Sequence, residues 1–353
     1  RIETSTRIET RMNGFHSHLS CSRIINVTTS DAKEQIMKAW QFTGTNKPLE
    51  LNDVDEPKAG PGQVVVDVKA AGVCHSDVTA LDDEGWMALF PILPRTMGHE
   101  NAGIITEVGE GMDHWKVGDR VGLAPVMSDG DALGYGKWDG GFAPKLRATD
   151  DNLVALPDEV PFDLGAMATD AGLTAYHAIM AVGGAKKGMK VGVIGLGGLG
   201  YIGARVAALT GAEVYGAEIN PETQKLADEI GLAGVADSID AFKDKGLELI
   251  VDYAGFGTTT SAALETLAEF GTLVQVGMGR LESTINTYPL IVNQLTVKGS
   301  KSGTKEDLAG IYELMRSGQL NPPINHISHA EIPEAIDKLR TGGVIGRFIA
   351  MYE

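Results

Sequence analysis

The chain has 353 residues, a formal charge of −17 and 43% hydrophobic content. So acidic a protein repels phosphate backbones, which excludes general nucleic-acid binding, and no run of 18 apolar residues is present to span a bilayer. Two cysteines allow one bridge at most, so there is no disulfide framework, while the length is enough for two hydrophobic cores.

Residues 1–36 stand apart from the rest. They begin RIETSTRIETR, with RIET occurring twice, and continue polar and without a sustained period. No apolar stretch with a small-residue cleavage site marks a secretory signal. The segment is expected to be a disordered or artificially appended tail, with Cys21 an incidental thiol. One cysteine, Cys74, then belongs to the folded part, and a reducing, cytoplasmic setting is expected.

From Met37 to about Asp150, short β segments alternate with Gly and Pro turns. Strands are predicted at 64–69, 102–108 and 119–123, separated by turns such as Pro61-Gly62 and Gly109-Glu110-Gly111. This pattern predicts a mostly antiparallel, barrel-like β domain. Three strings carry candidate metal ligands: GVCHSD at 72–77, GHE at 98–100 and ATDAGLT at 168–174. Cys74, His99 and Asp170 offer a sulfur, a ring nitrogen and a carboxylate oxygen. Three protein ligands with a fourth place left for water or substrate is the layout of a catalytic zinc. Their separations along the chain are too wide to reveal a site by local spacing. Singly they read as a buried thiol, a core imidazole and a turn carboxylate.

From about Leu164 to Lys298 strand-like and helical stretches alternate. Strands are predicted at 191–194, 213–217, 249–253 and 272–277, and helices at 204–210, 221–230 and 260–269. That rhythm predicts βαβ units and a doubly wound parallel sheet. Residues 191–203 read VGVIGLGGLGYIG, in which Gly195, Gly197 and Gly200 fit G-x-G-x-x-G after a strand and before a helix, with Gly198 and Leu199 between. One glycine makes the turn, one lets the backbone approach a pyrophosphate and one lets helix and strand pack closely. The pyrophosphate would lie on amides at the helix N-terminus. Glu218 ends the next predicted strand, where a carboxylate accepts the adenosine ribose hydroxyls and repels a 2′-phosphate. With Ile219 and Asn220 following and no Arg or Lys, NAD is favoured over NADP. Helices at 305–317 and 331–341 and a strand at 346–351 complete the chain. The predicted class is α/β, with a Rossmann-type NAD domain at 166–299 and a β-rich catalytic domain built from 37–165 and 300–353.

The strings GVCHSD, GHE and VIGLGGLG occur in that order. Together with MKAWQF, GDRV, GGFAPKL and GRFIAMY they resemble the zinc-dependent alcohol dehydrogenases of the medium-chain dehydrogenase/reductase family, from Met37 to the end of the chain. The resemblance implies a GroES-like catalytic domain with Cys74 and His99 as zinc ligands. Asp170 stands where the third ligand is usually a cysteine, as in a subset similar in oxidising secondary alcohols. It implies Asp77 orienting His99 from behind and Glu100 as an occasional further ligand, whereas Glu100 by itself reads equally as a buried charge paired with Arg347. The resemblance implies Ser76 in proton transfer, His75 and Arg347 near the cofactor phosphates, and Thr174 near the nicotinamide; Val276 and Met278 end a predicted parallel strand, where such sheets meet their ligands. The expected reaction is reversible hydride transfer between an alcohol and NAD, giving an aldehyde or ketone. A zinc-free reductase of activated alkenes or quinones, or a non-catalytic NAD-binding protein, would not need the three metal ligands.

Two departures stand out. Residues 122–140, where many relatives hold a structural zinc on four cysteines, contain none, so only a catalytic zinc is expected. Thr79 occupies the place of a relay histidine. Trp86, Phe142 and Met278 are the large apolar candidates for a substrate pocket. A sheet edge near 288–297 predicts pairing with a second copy, as a homodimer or homotetramer.

Overall fold

The computed structural model describes residues 35–353. The expected tail, Cys21 included, lies almost wholly outside the described residues. Among the described residues no helix is long and apolar enough to cross a membrane.

The chain opens with strands β1 (Ile36–Phe42), β2 (Glu50–Asp55) and β3 (Gln63–Val73). Helix α1 (His75–Asp82) follows, then β4 (Arg95–Thr96), β5 (Glu100–Val108), β6 (Arg120–Leu123), β7 (Lys145–Thr149) and β8 (Leu153–Ala155). A helical run then holds α2 (Phe162–Met167) and α3 (Leu173–Tyr176), each followed by a stretch of wider π-helical turns, Ala168–Gly172 and His177–Val182. The alternating half is β9 (Lys190–Ile194), α4 (Gly198–Leu209), β10 (Glu213–Ala217), α5 (Pro221–Gln224), α6 (Ala227–Ile230) and β11 (Gly234–Ala236). It continues with β12 (Leu247–Asp252), α7 (Thr258–Thr266), β13 (Leu267–Gln275), α8 (Thr287–Val292) and β14 (Thr296–Gly299). The chain returns through α9 (Lys305–Arg316), β15 (Ile324–Ser328), α10 (Ile332–Thr341) and β16 (Arg347–Met351).

Two main sheets result. The parallel sheet runs β11-β10-β9-β12-β13-β14. Chain order reverses between β10 and β12, so a crevice opens beyond the carboxyl ends of β9 and β12, where α/β sheets take their ligands. The other sheet runs β15-β16-β3-β5-β6-β8, with β7 also on β3, and is antiparallel except between β15 and β16. A smaller sheet, β2-β1-β4, lies beside it. β3 is buried along most of its length because β16, β5 and β7 all pair with it. This confirms the α/β class with a doubly wound parallel sheet and a mostly antiparallel β half.

Four expected elements differ. The helix at 204–210 starts earlier, at Gly198, despite three glycines that are poor helix formers. Packing overrides propensity here: a Cβ on Gly200 would lie 1.6 Å from the Gly195 carbonyl oxygen, and one on Gly203 would lie 2.3 Å from the Tyr253 hydroxyl. The helix at 260–269 ends at Thr266, because Leu267 is buried in the sheet and pairs with Leu247. The helix at 221–230 breaks into α5 and α6 at a tightened turn where the Leu226 amide donates to Thr223 O. The expected edge at 288–297 is helical in its first half, and the true edge strand is β14.

Candidate active site

Cys74 stands between β3 and α1, its extended backbone (φ −113°, ψ 157°) turning one into the other. Asp77, fully buried, reaches back so that its Oδ2 accepts the Cys74 amide at 2.9 Å. The turn that presents the thiol is thereby fixed from within. His99 precedes β5 and follows Gly98, whose φ of +95° favours glycine and whose missing Cβ would collide with the Phe142 ring at 2.4 Å. Asp170 projects from the first stretch of π-helical turns, an uncommon geometry often found at functional sites.

The ligand atoms of Cys74, His99, Glu100 and Asp170 all lie within 4.8 Å of one another. His99 Nε2 is 3.5 Å from Asp170 Oδ2, and Cys74 Sγ is 3.8 Å from the same oxygen. The Ser76 hydroxyl donates to Cys74 Sγ at 3.0 Å and lies 3.5 Å from His99 Nε2. His99 Nδ1 is buried without a hydrogen-bond partner, and Asp77 Oδ1 faces it at 3.4 Å. Burial disfavours an imidazolium, yet Tyr135, Asp77 and Asp170 together hold His99 well above its ordinary pKa. Burial likewise opposes ionisation of Asp170, but His99 and Arg347 hold its carboxyl well below the usual range. A thiol, an imidazole and a carboxylate converging beside an under-satisfied ring nitrogen fit a zinc ion.

Glu100 is turned toward Arg347. Arg347 Nε donates to Glu100 Oε2 at 2.8 Å, and Nη2 donates to Oε1. Burial pushes the Glu100 carboxyl up to about 7, with Arg347 opposing. The glycine of GVCHSD explains how a carboxylate fits there: a Cβ on Gly72 would stand 1.9 Å from Glu100 Oε2. Arg347 Nη2 also lies 3.8 Å from Asp170 Oδ2, and Nη1 is 3.2 Å from where a Cβ on Gly198 would sit. One guanidinium thus lies beside both the candidate metal cluster and the glycine turn.

That turn has the shape its sequence predicts. Gly195 has φ +79°, and Gly200 fits only without a side chain. Around Gly197 nothing lies within 4 Å of an added Cβ, and no side chain caps the start of α4. Open space over uncapped amides suits a pyrophosphate. Glu218 follows β10; its Oε2 accepts the Leu196 amide and its Oε1 the Asn220 amide, both at 2.8 Å. Leu199 lies in the first turn of α4, and His75 is exposed at the start of α1. The Thr174 hydroxyl donates to Asp170 Oδ1 at 3.3 Å. Val276 and Met278 lie just past β13, the latter exposed. Thr79 donates back to His75 O within its own helix. Of the pocket candidates, Phe142 is completely buried against Gly98 and is core rather than lining, whereas Trp86 stands near the site.

Sequence reasoning missed Tyr135. It lies on the loop that lacks cysteines, its ring 5.2 Å from that of His99 and its hydroxyl 3.4 Å from Asp77 Oδ1. Burial keeps its phenol well above the ordinary pKa. Its only signal was the glycine pair flanking it, Gly134 and Gly136. The loop is knit by other means: Asp131 Oδ1 accepts the Ala132 and Lys137 amides, and the Gly136 amide donates to Leu89 O at 2.7 Å.

Comparison with known proteins points the same way. Residues 60–158 match the alcohol dehydrogenase GroES-like domain, and residues 198–317 match the zinc-binding dehydrogenase domain. The chain is 32% identical to an alcohol dehydrogenase of Geobacillus stearothermophilus, over 89% of this chain and 98% of that one. It is 29% identical to an NAD-dependent alcohol dehydrogenase of Sulfolobus acidocaldarius, over 88% of this chain and 98% of that one. The solved alcohol dehydrogenase of Aeropyrum pernix superposes with a TM-score of 0.83 at 29% identity, covering 89% of this chain and all of that one (100%).

Proposed function

The chain belongs to the zinc-type alcohol dehydrogenases of the medium-chain dehydrogenase/reductase family, and from that premise we propose how its residues divide the work and which substrate they serve. It is an oxidoreductase acting on alcohols. The proposal is reversible, NAD-linked oxidation of a secondary alcohol to a ketone with one zinc ion per chain. The single observation that carries it is the convergence of Cys74, His99 and Asp170 on one point from three distant segments.

Zinc held by Cys74, His99 and Asp170 would supply the Lewis acidity that acidifies an alcohol hydroxyl, and NAD would supply the hydride acceptor. Everything else falls to the chain. Asp77 faces Nδ1 of the imidazole and holds the Cys74 turn through its amide, which would keep both ligands directed at the ion. Ser76, 3.0 Å from the thiol sulfur, is the hydroxyl placed to take the alcohol's proton and pass it outward. Gly195, Gly197, Gly198, Leu199 and Gly200 form the pyrophosphate cradle. Glu218 takes the ribose and disfavours a 2′-phosphate, which selects NAD. His75, Thr174, Val276, Met278 and Arg347 border the remaining cofactor path. Arg347 also pairs with Glu100, which would otherwise be free to offer a further ligand. On this reading residues 166–299 carry the cofactor and 37–165 with 300–353 carry the zinc, Asp170 being the ligand that crosses between them. No second, structural zinc is assigned, because residues 122–140 offer no thiol.

We assign the protein to a homo-oligomer, with the exposed edge strand β14 as the joining surface. A reducing, cytoplasmic setting suits a site whose ligand is the free thiol of Cys74.

An NAD-linked activity screen over primary and secondary alcohols and ketones, run with metal analysis, tests this reading. The expected result is close to one zinc per chain and faster turnover of secondary than primary alcohols. A protein that binds NAD yet takes up no zinc and oxidises no alcohol overturns it.

A further inference from the structure

Asp77 carries an uneven load. Its Oδ2 is committed to the Cys74 amide at 2.9 Å, while Oδ1 is faced by two groups, His99 Nδ1 and the Tyr135 hydroxyl, each at 3.4 Å. The carboxylate is completely buried, so no solvent can replace either donor. The Tyr135 ring lies 5.2 Å from the His99 ring at 47° and 5.2 Å from Phe90, with Trp86 at 6.3 Å beyond. Its loop is pressed onto the backbone that carries His99: a Cβ on Gly134 would meet Gly98 backbone atoms at 3.0 Å, and one on Gly140 would meet Gly98 O at 2.1 Å. A partly buried phenol, a buried carboxylate and a buried imidazole therefore form one unit, and the close approach of the loop to Gly98 places the phenol beside them.

We propose that Tyr135 is a positioning residue for the metal centre: its ring and hydroxyl fix the Asp77–His99 pair and so the direction of His99 Nε2. The proposal rests on the reading of Cys74, His99 and Asp170 as zinc ligands. The loop that offers no thiol would buttress the candidate metal centre instead. Groups behind a metal-bound histidine orient its ring, and losing one costs about 10–100-fold in metal affinity.

Tyr135→Phe removes only the hydroxyl and keeps the ring packed. The test compares wild type, Tyr135→Phe, Asp77→Asn and the double variant. Readouts are zinc affinity by chelator competition, the visible absorption of the cobalt(II)-substituted protein, the Tm of the metal-free protein and NAD affinity. Tyr135→Phe is expected to weaken zinc binding about 10-fold and shift the cobalt bands. Metal-free Tm and NAD affinity should stay at wild-type values. In the Asp77→Asn background the same change should add nothing, since its effect passes through Asp77. Wild-type zinc affinity and cobalt bands in Tyr135→Phe overturn the proposal, as does a fully additive loss in the double variant. Failure of the wild-type protein to bind zinc at all would strike the underlying metal assignment instead, so the two failures are distinguishable.

Discussion

Arg347 and Glu100 form an ion pair sealed from solvent, their side chains 6% and 0% exposed, although 247 positions separate them. Arg347 comes from β16 and Glu100 from the start of β5; β3 lies between these strands and leaves room at Gly72. A buried pair of this kind is costly to break on one side only, because the remaining charge stays desolvated.

Arg347→Ala should therefore destabilise the metal-free protein by about 3–5 kcal/mol. Replacing both partners, as Glu100→Leu with Arg347→Met, should recover most of that loss. Urea unfolding of the three proteins checks this, and a double variant no better than Arg347→Ala contradicts it.

Cys74→Ala and Asp170→Ala should each abolish alcohol oxidation, as should a chelator, while NAD binding stays intact. Zinc uptake by the wild type should release protons, because a thiolate rather than a thiol is the ligand, so affinity rises with pH. Calorimetry in buffers of different ionisation enthalpy measures the proton count; none released would refute thiolate ligation.

The glycine turn separates binding from folding. Gly197→Ala puts a methyl into open space at an ordinary φ of −66°, so Tm should hold. The methyl would occupy the cradle, and the NAD dissociation constant should rise at least about 10-fold, or 1.4 kcal/mol. An unchanged constant places the pyrophosphate elsewhere.

Glu218→Ala should lower the preference for NAD over NADP, read as the ratio of kcat/KM values. The change also frees the Leu196 and Asn220 amides, so some affinity for both cofactors should fall with it. A ratio equal to wild type argues against the ribose role.

β14 exposes all four of its residues at the end of the parallel sheet, with Tyr288 and Ile291 exposed nearby on α8. On the proposed β14 contact between copies, Val297→Lys would set like charges face to face and should shift light-scattering mass toward the monomer. No shift would locate the contact on another surface.

The parallel half was legible because its signals are local. Strand, glycine turn, helix and acidic residue follow one another between Lys190 and Glu218, and each helps determine the next. Where local propensity misled, tertiary packing had taken over, as at Leu267, which leaves a helix-forming run to be buried in the sheet. The candidate metal cluster was suggested only through resemblance, since no spacing rule links Cys74, His99 and Asp170. Tyr135 left only its flanking glycines as a trace, because its role depends on how a loop folds back onto Gly98.

Closure of the β sheet has a kinetic consequence. β3, which bears the thiol at its end, waits for β16 as a neighbour, and the Arg347–Glu100 pair must close a very long loop. Contacts so remote in sequence form late and slow folding. The pair cannot close until β16 is synthesised, long after the stretch that holds Cys74 and His99.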